Sequence, residues 1–195
     1  MFTIRSYEPA DEAGWLRCRL LSFFGSAFYD DVRREKEQYE HQAIELVAEA
    51  DGEIVGLIDV ECEDRPGAVC WERPGLGGMI WHLAVHPEQQ RRGIAAALLA
   101  EAQRRAGERE LVRFEAWTRD DPHVQAWYES LGFAPVASYL HVYVERDEGL
   151  RDLPFEGGEL KLVKAFAHYT GDEPDAIRQR FRRVHDCVLY ERRFS

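Results

Sequence analysis

Leu83-Ala84-Val85-His86-Pro87-Glu88-Gln89-Gln90-Arg91-Arg92-Gly93-Ile94-Ala95-Ala96-Ala97-Leu98-Leu99 joins an apolar strand to an alanine-rich helix through a short polar loop. Met79 to Val85 reads as a buried strand with His86-Pro87-Glu88 as its exit. Ile94 to Arg105 reads as a helix with Ile94, Ala97, Leu98 and Ala102 on one face and Gly107 just beyond its end. Where such a helix begins, its first backbone N–H groups have no internal partner and the helix dipole adds partial positive charge, so a pyrophosphate fits there. Gly93 and the small Ala95 and Ala96 permit close approach to the backbone, and Arg91 and Arg92 supply counter-charge. Taken alone, one glycine and two arginines at a helix start describe an ordinary turn equally well.

A second block narrows the choice. Asp121-Pro122-His123-Val124-Gln125-Ala126-Trp127-Tyr128-Glu129-Ser130-Leu131-Gly132-Phe133 is similar to the Asn-x-x-Ala-x-x-Phe-Tyr-x-x-x-Gly-Phe segment of the GNAT superfamily of acyl-CoA N-acyltransferases. Gln90-Arg91-Arg92-Gly93-Ile94-Ala95 resembles that family's Gln/Arg-x-x-Gly-x-Gly/Ala coenzyme A signature, and Trp81-His82-Leu83-Ala84-Val85-His86-Pro87 resembles its central strand and exit. The resemblance spans residues 2–145 and is most specific between Met79 and Phe133. Ala95 stands where glycine is common, and Asp121 where an asparagine often contacts the cofactor.

The resemblance implies an α/β fold with a mixed, largely antiparallel central sheet flanked by helices on both faces. It further implies acetyl-CoA as the acyl donor. The backbone of Leu83, Ala84 and Val85 would pair with the pantetheine arm as an added strand. The segment from Gln90 through Arg91, Arg92, Gly93, Ile94, Ala95 and Ala96 would hold the pyrophosphate, Asp121 would lie beside the cofactor, and the Tyr128 phenol would face the sulfur. Apart from the motif, an aromatic next to Trp127 and Phe133 reads equally as core packing.

Acyl transfer to an amine needs a neutral amine, a stabilised oxyanion and a proton for the leaving thiolate. An alkylammonium with a pKa of about 10.4 must shed a proton first. His82, in the central strand, is the candidate base because imidazole titrates near neutrality, with Glu61 as an alternative. Strand alternation puts Trp81 and Leu83 on one face and His82 on the other. His141, His168 and His185 occur singly, and neither they nor the cysteines show metal-site spacing, so no metal is expected. Phe23, Phe24, Phe28 and Tyr29 follow the first helical region, which the resemblance places beside the acceptor.

Outward from these motifs, Phe2 to Ser6 alternates as a strand, and Pro9-Ala10-Asp11-Glu12 opens a helix ending near Gly25. Its apolar face is expected to carry Trp15, Leu16, Arg19, Leu20 and Phe23. Tyr29 to Gln42 reads as a second, exposed helix. Ile44 to Ala50 and Ile54 to Glu61 flank Asp51-Gly52, a hairpin signal, and Asp64 to Gly78 reads as loop. Leu111 to Trp117 and Ala137 to Val144 are strand-like around a helix over Pro122 to Leu131. Beyond Glu145, Leu160 to Tyr169 reads as strand, Asp175 to Phe181 as helix and Val184 to Glu191 as a closing strand.

A chain of 195 residues, 45% hydrophobic, suits a single domain over residues 1–195, with 150–195 an extension packed on or completing the sheet. The net charge of −11 argues against nucleic acid and suits a cationic amine acceptor. Six arginines against two acids after Ile177 read as a solvated face. No stretch approaches a membrane span and no signal-like start is seen, so a cytoplasmic protein with reduced cysteines is expected. A homodimer is compatible with these features. An N-acetyltransferase acting by direct attack in a ternary complex is the leading reading, since no cysteine lies in either motif. A non-catalytic acyl-CoA-binding or sensing module and an interaction domain are the alternatives.

Overall fold

Asp51 and Gly52 both adopt positive φ, 53° and 79°, as a two-residue type I′ turn requires. The computed structural model describes residues 1–150, 153 and 156–194. In chain order its strands are β1 (Thr3–Ser6), β2 (Ala43–Ala50), β3 (Glu53–Cys62), β4 (Leu76–Val85), β5 (Leu111–Thr118), β6 (Ala134–Val144), β7 (Ala165–Tyr169) and β8 (Arg183–Arg193). They form one sheet in the order β1-β2-β3-β4-β5-β8-β6-β7, parallel only between β4 and β5. Helix α1 (Glu12–Phe24) packs Trp15 and Cys18 against Val47, Leu57 and Ala84 on one face. Helices α2 (Ile94–Gly107) and α3 (Pro122–Ser130) cover the other through Ile94, Leu98, Ala102 and Tyr128. A short α4 (Pro174–Arg180) brings Ile177 to Leu140 and Val142. This is the mixed, mostly antiparallel α/β sheet with helices on both faces that the motifs implied. Of the extension over 150–195, residues 151, 152, 154, 155 and 195 lie outside the described residues.

Three local expectations are corrected. Residues 31–42 are not a helix, because neighbouring side chains there are drawn inward by partners far along the chain. Lys36 Nζ reaches Asp59 at 2.9 Å and Glu45 at 2.5 Å, and Tyr39 donates to Asp59 at 2.9 Å. The rings of Tyr7, Trp15 and Tyr39 surround the same ammonium at 4.8–5.2 Å. Burial works against that charge, but Asp59 and Glu45 outweigh it and hold its pKa above the ordinary lysine value. In α1, Leu20 is 45% exposed and Cys18 takes the core position instead, one residue round the helix from the expected face. Near the C-terminus, only Ala165–Tyr169 of the expected 160–169 strand pairs, with β6.

The long loop between β3 and β4 is fastened to the sheet by a buried guanidinium. Arg113 of β5 donates from Nε to Glu115 (2.9 Å) and from Nη2 to Glu63 (3.3 Å), and caps the carbonyls of Gly75 and Trp71. Glu63 in turn accepts from the backbone N–H groups of Gly67, Cys70 and Gly77. Charges this deep are stable only when paired and fully hydrogen-bonded. Replacing Arg113 with Met is therefore expected to cost about 3–5 kcal/mol in denaturant unfolding. A loss below about 1 kcal/mol would show that the carboxylates do not depend on it.

Candidate functional site

Strand β4 parts from its parallel neighbour halfway along. The β4–β5 ladder runs from Leu76↔Leu111 to Ile80↔Ala116, and among the described residues the rest of β4 pairs only with β3. The cause is local: Asp59 pairs with His82 and Val60 with Ile80, leaving Trp81 as the extra residue of a β-bulge, which bends a strand and resets its alternation. Trp81 is consequently 44% exposed, and its indole N–H reaches back to Glu61 at 2.7 Å. Ile80 packs on the α2 side, whereas His82 lies against Trp15 and Phe23 on the α1 side. The expectation that Trp81 and Leu83 share a face is thereby overturned. Leu83 to Val85 are left with one backbone edge facing a cleft.

At the end of that edge the chain turns into α2. Arg91 and Gly93 take positive φ of 63° and 81°, and the first backbone bond into the helix is from Ala97 N–H to Gly93 O. Among the described residues, the N–H groups of Arg91, Arg92, Gly93, Ile94, Ala95 and Ala96 donate to no group of the chain. Gln90 ties the loop back by donating from its side chain to Val85 O at 3.2 Å. These are two separate marks of a ligand-binding strand end: an edge without a ladder and a run of N–H groups without acceptors.

Helix α3 presents Tyr128 to the same cleft. Asp121 caps the helix, accepting from His123 N–H (3.1 Å) and Val124 N–H (3.4 Å), so one of its oxygens is engaged within the chain. Tyr128 is 6% exposed, stacked on Tyr190 at 5.9 Å with Phe133 and Trp127 edge-on. Its hydroxyl has no hydrogen-bond partner among the described residues, and burial alone pushes its pKa above the usual phenol value. It therefore carries its proton into the cleft.

Leu83, Ala84, Val85, Gln90, Asp121, Tyr128 and His82 line a common cavity of about 400 Å³. Arg91 to Ala96 continue from Gln90 beyond that lining. The cavity's other walls include Phe23 and Phe28, which the resemblance placed beside the acceptor, and residues that no motif indicated: Arg19, Asp31, Glu37, Trp117, Tyr139 and His141. His82, 4% exposed, is engaged at both nitrogens. Arg19 Nε–H donates to Nδ1 at 3.3 Å, and Nε2 lies 2.9 Å from Glu37. Since Arg19 is only a donor, the neutral imidazole carries its proton on Nε2 and gives it to Glu37. That bond, first among its causes, draws the Glu37 pKa down to about 2. Glu61 is instead committed to His41 and Trp81. Opposite, Arg119 Nε–H donates to His141 Nδ1 at 3.0 Å, and His141 Nε2 lies 3.2 Å from the Tyr139 hydroxyl. His168 stacks on His141 at 4.9 Å, and His185 pairs with Asp120 at 2.7 Å. Among the described residues, no group of three or more His, Cys, Asp or Glu side chains is placed to hold a metal ion, and no helix is long and apolar enough to cross a membrane.

Residues 41–135 match the family model of the acetyltransferase (GNAT) domain. The chain carries a GNAT acetyltransferase domain. Solved structures share its fold at low identity. The ribosomal-protein-S18-alanine N-acetyltransferase of Escherichia coli aligns over 100% of this chain and 95% of its own, with TM-score 0.61 and 17% identity. A ribosomal-protein-alanine N-acetyltransferase from Brucella melitensis aligns over 98% and 99%, with TM-score 0.61 and 16% identity. The PaiA N-acetyltransferase of Thermoplasma acidophilum, in complex with coenzyme A, aligns over 100% and 99%, with TM-score 0.57 and 11% identity.

In this GNAT chain His141 also leaves a signature in stability. Burial first, and Arg119 second, lower its pKa from 6.5 to about 4. Between those values the unfolded chain binds a proton that the folded chain refuses, so stability falls as pH drops from 6.5 towards 4 and this contribution levels off below. His141→Gln is expected to flatten the slope in that window, read as denaturant midpoint against pH. An unchanged slope would show that His141 does not cause it.

Proposed function

We propose that this GNAT chain transfers the acetyl group of acetyl-CoA to a primary amine by direct attack within a ternary complex. The observation that carries the reading is one juxtaposition. The unpaired edge of Leu83 to Val85 leads to six N–H groups without acceptors, and the Tyr128 hydroxyl opens into the same cleft. An acyl-CoA has the matching parts: a pantetheine amide chain for the edge and a pyrophosphate for the helix start. Coenzyme A in the Thermoplasma structure of the same fold supports the donor. When bound, the donor supplies a thioester carbonyl.

The chain's own groups then divide the work. Backbone groups of Leu83 to Val85 align the pantetheine arm, and Arg91 to Ala96 hold the pyrophosphate with Arg91 and Arg92 as counter-charges. Tyr128 keeps its proton at neutral pH and is the group that hands it to sulfur as the C–S bond breaks. Glu37, held low in pKa, anchors the incoming ammonium. Its side chain is 30% exposed, so water reaches the anchored amine and takes the proton that it must lose before attack. His82, the base expected from the motif region, has Nδ1 under Arg19 and gives Nε2–H to Glu37. Its part in the proton path is to position that carboxylate.

The first test is thermal unfolding with acetyl-CoA and with free coenzyme A. A concentration-dependent rise is expected from a ligand that binds only the folded state, and no shift at millimolar ligand would favour an interaction domain instead. Tyr128→Phe is expected to keep that shift while lowering kcat by about 10²-fold or more, followed as thiol release. Full turnover by the variant would leave an acyl-CoA-binding module or a different acid. Glu37→Gln should raise the amine KM about tenfold or more, in line with a charge-assisted bond worth roughly 1.5–3 kcal/mol, and leave the acetyl-CoA KM unchanged. An unaffected amine KM would remove Glu37 from the acceptor site.

A further inference from the structure

The cavity has two walls built on the same plan with opposite endings. On one, Arg19 donates to His82 and His82 donates to Glu37. On the other, Arg119 donates to His141 and His141 donates to the Tyr139 hydroxyl. The direction of the second chain is set at its start, because a guanidinium offers only N–H and so makes Nδ1 of His141 an acceptor. The imidazole's one remaining proton then lies on Nε2 and points at the Tyr139 oxygen. Arg119 is itself fixed, 5% exposed, with Nη1 on Ala27 O at 2.6 Å and Nη2 on the Tyr143 hydroxyl at 2.5 Å. Phe28 lies under its guanidinium at 4.3 Å.

A hydroxyl that accepts from His141 has its own hydrogen left to give. Tyr139 is half-buried, its ring held between Trp117 at 4.7 Å and His168 at 4.5 Å. Its neighbour within the chain is the Cys187 thiol across the β6–β8 ladder, a weak acceptor that an oxygen displaces. Burial holds the Tyr139 pKa above the usual phenol value, so the donor persists at neutral pH. One wall thus ends on the Glu37 carboxylate, whose Oε1 already accepts from Arg33 Nη1 at 3.1 Å and keeps a further lone pair for an ammonium, and the facing wall ends on an O–H suited to an oxygen.

We propose that the acceptor is an amine that also carries a carbonyl or carboxylate oxygen, and that Tyr139, oriented by the Arg119–His141 pair, is the residue that selects it. This rests on the acyltransferase reading of the same cavity. The carbonyl and carboxylate sources are separated by the choice of probes.

The experiment compares kcat/KM for three matched probes, an unsubstituted alkylamine, an amino acid and that amino acid's amide, in the wild-type chain and in Tyr139→Phe. Thermal shift with acetyl-CoA is measured alongside to confirm folding and donor binding. The wild type is expected to favour the amide, the amino acid or both over the alkylamine by about tenfold or more, as a bond to a site's dedicated donor allows. Tyr139→Phe should erase that preference, mainly through KM for the oxygen-bearing probes, with the acetyl-CoA shift retained. A preference for the amide alone assigns a carbonyl, and for the amino acid a carboxylate. Equal use of all three probes, a preference that survives Tyr139→Phe, or turnover of neither oxygen-bearing probe while acetyl-CoA still binds would overturn the inference and leave the acyltransferase reading standing. Absence of any acetyl-CoA shift would overturn both.

Discussion

The site depends on the early end of the β4–β5 ladder. A parallel ladder normally continues until one strand stops, but here β4 runs on for five residues beyond Ile80 with β3 as its only partner among the described residues. Backbone N–H and C=O groups inside a fold need partners, so an interior edge of this kind is retained where something else completes it. The bulge at Trp81 makes the departure possible: it adds one residue to β4, bends it away from β5 and turns His82 to the α1 face. Without that extra residue, His82 would share the face of Ile80 and the Arg19–His82–Glu37 arrangement would not form. The gap also lets Tyr128, on a helix of the α2 side, reach a cavity whose other walls lie on the α1 side.

Polar burial follows one rule, that each buried cation ties a loop to the sheet. Lys36 holds loop 31–42 to the sheet through Asp59 and Glu45, Arg113 holds loop 63–77 through Glu63 and Glu115, and Arg119 holds the turn after α1 through Ala27 O and Asp30. Each pairing is costly to break and none adds much apolar area, so their effect is positional. They place Glu37 and Phe28 around the cavity, and the β3–β4 loop against the sheet, more firmly than apolar contacts alone.

What was legible in the sequence follows from the range of the interaction involved. The Asp51-Gly52 hairpin, the alanine-rich α2 with its glycine at positive φ and α3 between Asp121 and Gly132 are specified by adjacent residues, and they stand where local patterning put them. The same holds for the helix start at Gly93, whereas the edge of Leu83 to Val85 was implied only by the family resemblance. Residues 31–42 misled because their charge pattern suits a surface helix, whereas Lys36 and Tyr39 share a partner, Asp59, that lies 20 residues beyond Tyr39 in β3. The Trp81 bulge is a property of pairing with β3 and leaves no mark in β4 alone. Tyr139 and Arg119 meet through His141, and nothing in their spacing announces it.

The residues proposed for donor and for acceptor fall differently along the chain. The groups assigned to the donor, from Leu83 to Ala96 with Asp121 and Tyr128, all fall within residues 41–135, the stretch matched by the family model. Arg19 and Glu37 precede that stretch, and Tyr139, His141 and Cys187 follow it, yet all five line the same cavity. Strand β8 explains how the late residues arrive: inserted between β5 and β6, it sets Cys187 opposite Tyr139 and carries β6 against the end of β5. A cofactor common to a family can be held by one contiguous motif because its shape is constant. An acceptor is held by whichever segments the topology folds over the open end of the gap, and on the proposed reading its recognition falls to pairs such as Arg19–His82 and Arg119–His141, which only the assembled sheet brings together.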